Sequence, residues 1–201
     1  MLPVLVAGFG VGLSLIVAIG AQNAYVLRQG VRAEHVLPIV AICAASDAAL
    51  ILAGVSGIGV VVERAPVALT VVRWAGAAFL VGYGLLAARR VFATQSLRAG
   101  NGGGTSTLRT AVLTVLAMTW LNPHVYLDTV LLVGSIANTH GQAGRWSFGA
   151  GAALASFVWF AALGYGARLL GRVFARPAAW RVLDALIAIT MITIGVSLVA
   201  A

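Results

Sequence analysis

Long apolar runs, interrupted by short polar intervals, alternate along the whole of this chain. A helix needs about 20 mostly apolar residues to cross roughly 30 Å of hydrocarbon. Hydropathy and helix-breaking residues together predict such helices over 3–27, 36–62, 66–88, 108–137, 147–167 and 182–201. The intervals carry charges and breakers: 28–35, a tight Glu63-Arg64-Ala65 turn, 89–107, 138–145 and 168–181. Within the third of these, Gly100-Asn101-Gly102-Gly103-Gly104 reads as a flexible linker. The expected fold is therefore all-α: a single polytopic integral membrane domain over 1–201, with about six transmembrane helices and no soluble appendage.

Composition supports the bilayer as solvent. Of 201 residues, 61% are hydrophobic and 9% charged, too few polar groups to cover a globule in water. A net charge of +8 raises nucleic acid as a partner, but the 13 basic residues sit in short connectors rather than on one amphipathic face, so nucleic acid is not expected. All of them are arginine, which reads as codon bias rather than chemistry. Their distribution sets an orientation, because short Arg-rich loops stay in the cytoplasm. Arg28, Arg32, Arg89, Arg90, Arg98, Arg109, Arg168, Arg172, Arg176 and Arg181 flank the first, third and fifth connectors, against Arg64, Arg73 and Arg145 on the other side. Both termini are then expected outside. The first apolar run has no basic residue before Arg28 and is too long for a signal peptide, so it reads as a retained helix. Cys43 is alone, which excludes a disulfide, a CxxC redox pair and a zinc cluster within one chain; no metal or cofactor is expected.

Two small-residue motifs, Gly8-Phe9-Gly10-Val11-Gly12 and Gly149-Ala150-Gly151-Ala152-Ala153, suit close helix packing in lipid. A faint internal repeat is also visible. Gly20-Ala21-Gln22-Asn23-Ala24-Tyr25-Val26-Leu27 in the first span and Trp120-Leu121-Asn122-Pro123-His124-Val125-Tyr126-Leu127 in the fourth both place an amide before a Tyr-containing apolar stretch. Halves of about 1–92 and 108–201, joined by 93–107, would each hold three spans, and an odd number inverts one half relative to the other in the membrane.

Candidate chemistry lies where polar groups interrupt these spans. Proline lacks an N–H and clashes with the preceding turn, so the fourth helix should break at Asn122-Pro123. As one straight helix, 108–137 would run to about 45 Å, too long for one crossing without tilt. Asn122 as N-cap and Pro123 at the first helical position would start a half-helix whose positive end could hold a substrate carboxylate; an ordinary proline kink is the alternative. Gln22 and Asn23 must face protein or water, as substrate ligands or as a tie between helices. A carboxylate inside a span costs roughly 2.5–3.5 kcal/mol and usually marks an ion or substrate path, which singles out Asp47 and Asp128. Asp47 lies about 16 Å into its helix, near the midplane. A buried ion pair, with Arg73 as the partner, is the alternative for both. His124 adjoins the break and could relay protons. Asp184 reads as an interfacial first-turn acid, Glu34 and Glu63 as connector residues, and Ser14, Ser46 and Thr119 as bonded to their own helices. Tyr25, Tyr126, Trp120, Trp146 and Trp159 read as interface or packing aromatics.

The run Ala18-Ile19-Gly20-Ala21-Gln22-Asn23-Ala24-Tyr25-Val26-Leu27-Arg28-Gln29-Gly30, with Ser46-Asp47 and Leu121-Asn122-Pro123-His124-Val125-Tyr126-Leu127-Asp128-Thr129, resembles the lysine exporter (LysE) family, which includes arginine exporters. The resemblance covers essentially the whole chain. It implies export of L-lysine, L-arginine or close analogues across the bacterial cytoplasmic membrane, driven by the proton motive force, with Asp47 and Asp128 as the functional acids. The expected partners are then the amino acid, protons and lipid, with self-association left open. Carriers of neutral amino acids or small cations in the wider superfamily remain the alternative. No HExxH, Gly-x-Gly-Asp, Ser/Lys dyad or filter-like loop supports an intramembrane enzyme or a channel.

Overall fold

The apolar stretches become helices whose breaks, more than their number, position the polar residues. The computed structural model describes residues 1–17, 20–57, 66–92, 107–170 and 176–200. The Glu63-Arg64-Ala65 turn, the glycine linker, Ala18-Ile19, Arg98 and Arg172 lie outside the described residues.

The first apolar run divides into α1 (Leu2–Ile16) and α2 (Ala21–Arg32), inclined at 84°. This break was not expected, and it carries Arg28 onto a helix instead of a connector. Helix α3 (Val36–Val55) follows, then α4 (Pro66–Phe92), which runs past Arg89 and Arg90. The fourth run breaks where Pro123 demands it: α5 (Leu108–Trp120) stops, and the chain restarts as α6 (Pro123–Val125), a π-helical segment (Tyr126–Val133) and α7 (Gly134–Asn138). Helix α8 (Gly141–Gly166) ends in a 3-10 turn, and α9 (Pro177–Ala200) completes the chain. Both start several residues earlier than hydropathy suggested.

Among the described residues, Val36–Val55, Gly141–Leu170 and Ala178–Ala200 are each long and apolar enough to cross a bilayer, and α1 with α2 qualifies as one bent span. Helix α4 has 27 residues, while α5 and Tyr126–Asn138 are shorter apolar helices on either side of the second break. Side chains such as Leu37, Val67, Phe157, Leu186 and Ile189 point outward and are more than half exposed. In a bilayer they meet acyl chains. This is an all-helical, polytopic membrane fold, as expected.

Small residues bring the backbones together. A Cβ on Gly8 would stand 2.0 Å from the Phe148 carbonyl oxygen, and one on Gly151 would stand 2.0 Å from that of Leu5. The two small-residue motifs thus pack on each other, across α1 and α8, where lipid supplies no hydrophobic drive and close contact must do so. Gly54 of α3 meets the π-helical segment in the same way, at Thr129 and Val130. Helices α1 and α2 lie against α8, while α5 and the π-helical segment lie against α3; α3 also pairs with α8, and α4 with α9.

Asp184 corrects the sequence reading. It is 2% exposed, well inside α9, and its Oδ1 accepts from Arg28 Nη1 at 2.8 Å and from Arg90 Nε at 3.2 Å. One carboxylate therefore joins the ends of α2 and α4 to the first half of α9, bringing these three helix segments together on one side. On the opposite side Ser147 Oγ donates to Met1 Sδ at 3.3 Å, placing the amino end beside the α7–α8 turn. Arg73 donates through Nε to the Leu198 carbonyl and through Nη2 to that of Val199, at the carboxyl end of α9. The Asp47 pairing considered for it is absent: two helix-end carbonyls hold the guanidinium instead.

Candidate functional site: a polar cavity between two helix breaks

Each break leaves backbone groups without helical partners, and a nearby side chain closes each one. Past the first break, Asn23 Nδ2 donates to the Ile16 carbonyl at 2.6 Å, and Asn23 Oδ1 accepts from Trp159 Nε1 at 3.2 Å. Past the second, the Tyr126 hydroxyl donates to the Trp120 carbonyl at 2.8 Å. Asn122 Oδ1 accepts from the His124 backbone N–H at 3.2 Å, the capping role anticipated for it. Trp120 Nε1 in turn donates to Ser46 Oγ at 3.2 Å, fixing the end of α5 to α3 one residue before Asp47. Of the five aromatics read as interface or packing residues, Trp120, Tyr126 and Trp159 brace these breaks. Ser46 is held across helices, whereas Ser14 and Thr119 do bond their own helices, at 2.7 and 2.9 Å.

Between the breaks lies a cavity of about 230 Å³. Gly20, Gln22 and Asn23 line it from the first break, Asn122, His124, Asp128 and Thr129 from the second, and Asp47 from α3. Apolar walls come from Leu15, Ile16, Phe160 and Ile194. Pro123 opens the half-helix between two of the lining residues. Gln22, Asn23, Asp47, Asn122, His124 and Asp128 therefore converge, although they are spread over more than a hundred positions of sequence.

Their environments differ. Asp47 is 4% exposed, and its Oδ2 accepts from the Ser156 hydroxyl at 2.6 Å. Ser156, itself fully buried on α8, was not anticipated. Asp128 is half-buried in the π-helical segment, within electrostatic reach of His124. Gln22 lies beside Cys43, with its Nε2 buried and without an acceptor among the described residues. At the start of α2, Gly20 is an extended N-cap with no capping side chain, so the first N–H groups of that helix remain available. Among the described residues, no arginine lines the cavity. The site thus offers two carboxylates, a histidine, an amide donor and helix amino ends in an apolar shell.

A polytopic helical protein enclosing a polar cavity between broken helices belongs to the class of membrane translocators. The LysE type translocator family model matches residues 13–201, and the chain belongs to that family. It is 38% identical to a lysine exporter of Corynebacterium diphtheriae, over 94% of this chain and 96% of the relative. It is 39% identical to an arginine exporter of Yersinia enterocolitica, over 93% and 91%. A Mycobacterium tuberculosis protein named as a candidate amino-acid transporter is 53% identical over 92% and 90%. No solved structure matches the chain.

Proposed function

We propose that this protein exports basic amino acids, L-lysine and L-arginine, from the cytoplasm in exchange for protons. The observation that carries the proposal is the meeting of Asp47 and Asp128 in one cavity that, among the described residues, no arginine lines. Two carboxylates without a fixed counter-cation suit a substrate that brings its own positive charges. Relatives named as lysine and arginine exporters support the same reading.

Asp47, the more deeply buried acid, takes the substrate side-chain cation. Asp128, beside His124, takes the proton. The α-carboxylate lies at the amino ends of the broken helices, where Gln22 Nε2, the uncapped start of α2 and the Asn122 amide supply donors, and Pro123 starts the second half-helix without offering one. Asn23 holds the first break in shape. The interhelical pairing supports two inverted halves, 1–92 and 108–201, rocking about this cavity. The Arg-rich ends joined by Asp184 face the cytoplasm and the termini face outside, in the multi-pass arrangement of a bacterial inner-membrane carrier.

Counterflow in proteoliposomes tests the substrate. Vesicles preloaded with unlabelled lysine or arginine should concentrate the labelled amino acid transiently, whereas leucine preloading should give only the passive trace. Equal stimulation by leucine would move the protein to the neutral amino acid carriers of its superfamily.

A further inference from the structure

We propose that Ser156 is a positioning residue for the cation site, holding the Asp47 carboxylate so that its other oxygen faces the cavity. The inference rests on the reading of Asp47 as the cation-binding acid and extends it to a residue on a different helix.

A serine inside a membrane helix ordinarily donates to a carbonyl three or four residues back in its own helix. Ser14, Ser56, Ser135 and Ser197 all do so here. Ser156 instead donates across to α3, at 2.6 Å, within the range of a charge-assisted O–H···O⁻ bond. Gly151 and Ala152 on the same helix are buried against α1 at backbone contact, and α8 also packs along α3. The hydroxyl is therefore carried on a closely packed helix. A carboxylate has two oxygens with about four acceptor positions. Fixing Oδ2 from behind sets the plane of the group, and since Asp47 lines the cavity, Oδ1 is the atom left for an incoming ammonium or guanidinium.

Removal of the hydroxyl leaves the Asp47 carboxyl group present but free to turn. Ser156→Ala should raise the KM for labelled lysine counterflow about tenfold, the usual effect of losing one hydrogen bond to a charged group, with kcat within about twofold of wild type. Ser156→Thr, which keeps the donor, should recover most of the affinity. Should the alanine protein fail to fold, Ser156→Cys, near in volume and weak as a donor, carries the same expectation. An unchanged KM in the alanine or cysteine variant, or a loss of kcat with falling thermal stability that threonine does not restore, would overturn the assignment. Failure of wild-type vesicles to exchange lysine or arginine at all would instead reject the export reading itself.

Discussion

Asp47→Asn should abolish uphill export of lysine while leaving the protein folded and inserted. The substitution keeps the shape of the side chain, and an amide oxygen can still accept from Ser156, so the α3–α8 contact survives. What disappears is the negative charge facing the cavity. Removing one partner of a desolvated charge pair typically weakens binding by 2–5 kcal/mol, an increase in apparent KM of about thirtyfold or more. The coupling should fail as well. In the proposed exchange the cation leaves Asp47 as a proton is taken up at Asp128, and an amide at position 47 holds no cation to exchange. Asp128→Asn should also lose net export, but as the proposed proton site it should retain more exchange of labelled for unlabelled lysine than Asp47→Asn does. Initial-rate export from vesicles with and without an imposed ΔpH separates the two. Normal ΔpH-dependent export by Asp47→Asn would return that residue to a structural role.

The largest effect on stability is expected away from the cavity. Asp184→Asn removes the carboxylate that Arg28 and Arg90 share, leaving Arg28, only 12% exposed, without its charge partner at Asp184. Breaking such a buried pair costs about 3–5 kcal/mol. Arg90, at 32% side-chain exposure, regains water more easily, which favours the lower end of that range. For a chain of this length a loss of about 3 kcal/mol lowers the unfolding midpoint by roughly 6–12 °C. Thermal unfolding of purified protein in detergent measures it. Combining Asp184→Asn with Arg28→Gln should recover part of the loss, because the stranded cation goes too. An unchanged midpoint in the single variant would mean that the three helix ends are held together by packing alone.

The difference between Asp184 and Asp128 shows what a sequence can carry in a protein of this kind. Asp128, like Asp47, could be singled out because a carboxylate within an apolar run has no local explanation. Asp184 follows Arg181 closely, and a hydropathy window starting the last span at 182 turned it into an interfacial acid. Its partners are 156 and 94 residues away in sequence, where no local pattern could point to them. The two breaks differ in the same way. Asn122-Pro123 announces itself through a missing N–H and an overlong span. The break before Ala21 has no proline; its signals are Gly20 and the amide of Asn23, which reaches back to the Ile16 carbonyl, and these gain meaning only once the helix is seen to end. Ser156 gave no signal at all, since most serines in such helices bond their own backbone. The weak repeat between the first and fourth spans was the best pointer available, as it aligned the two segments that form the cavity.

Exporting a cation works against an inside-negative potential by about 2.3 kcal/mol per charge per 100 mV, so a simple uniporter would draw lysine inward. A one-for-one swap with a proton moves no net charge and removes that opposition. The decisive measurement is uptake of labelled lysine into proteoliposomes with an acidic lumen and the membrane potential clamped at zero. Proton exit should drive lysine inward above its external concentration, a protonophore should abolish the accumulation, and an inside-negative potential at equal pH should produce none. Accumulation driven by that potential at equal pH, or none under the pH gradient, would contradict proton-coupled exchange.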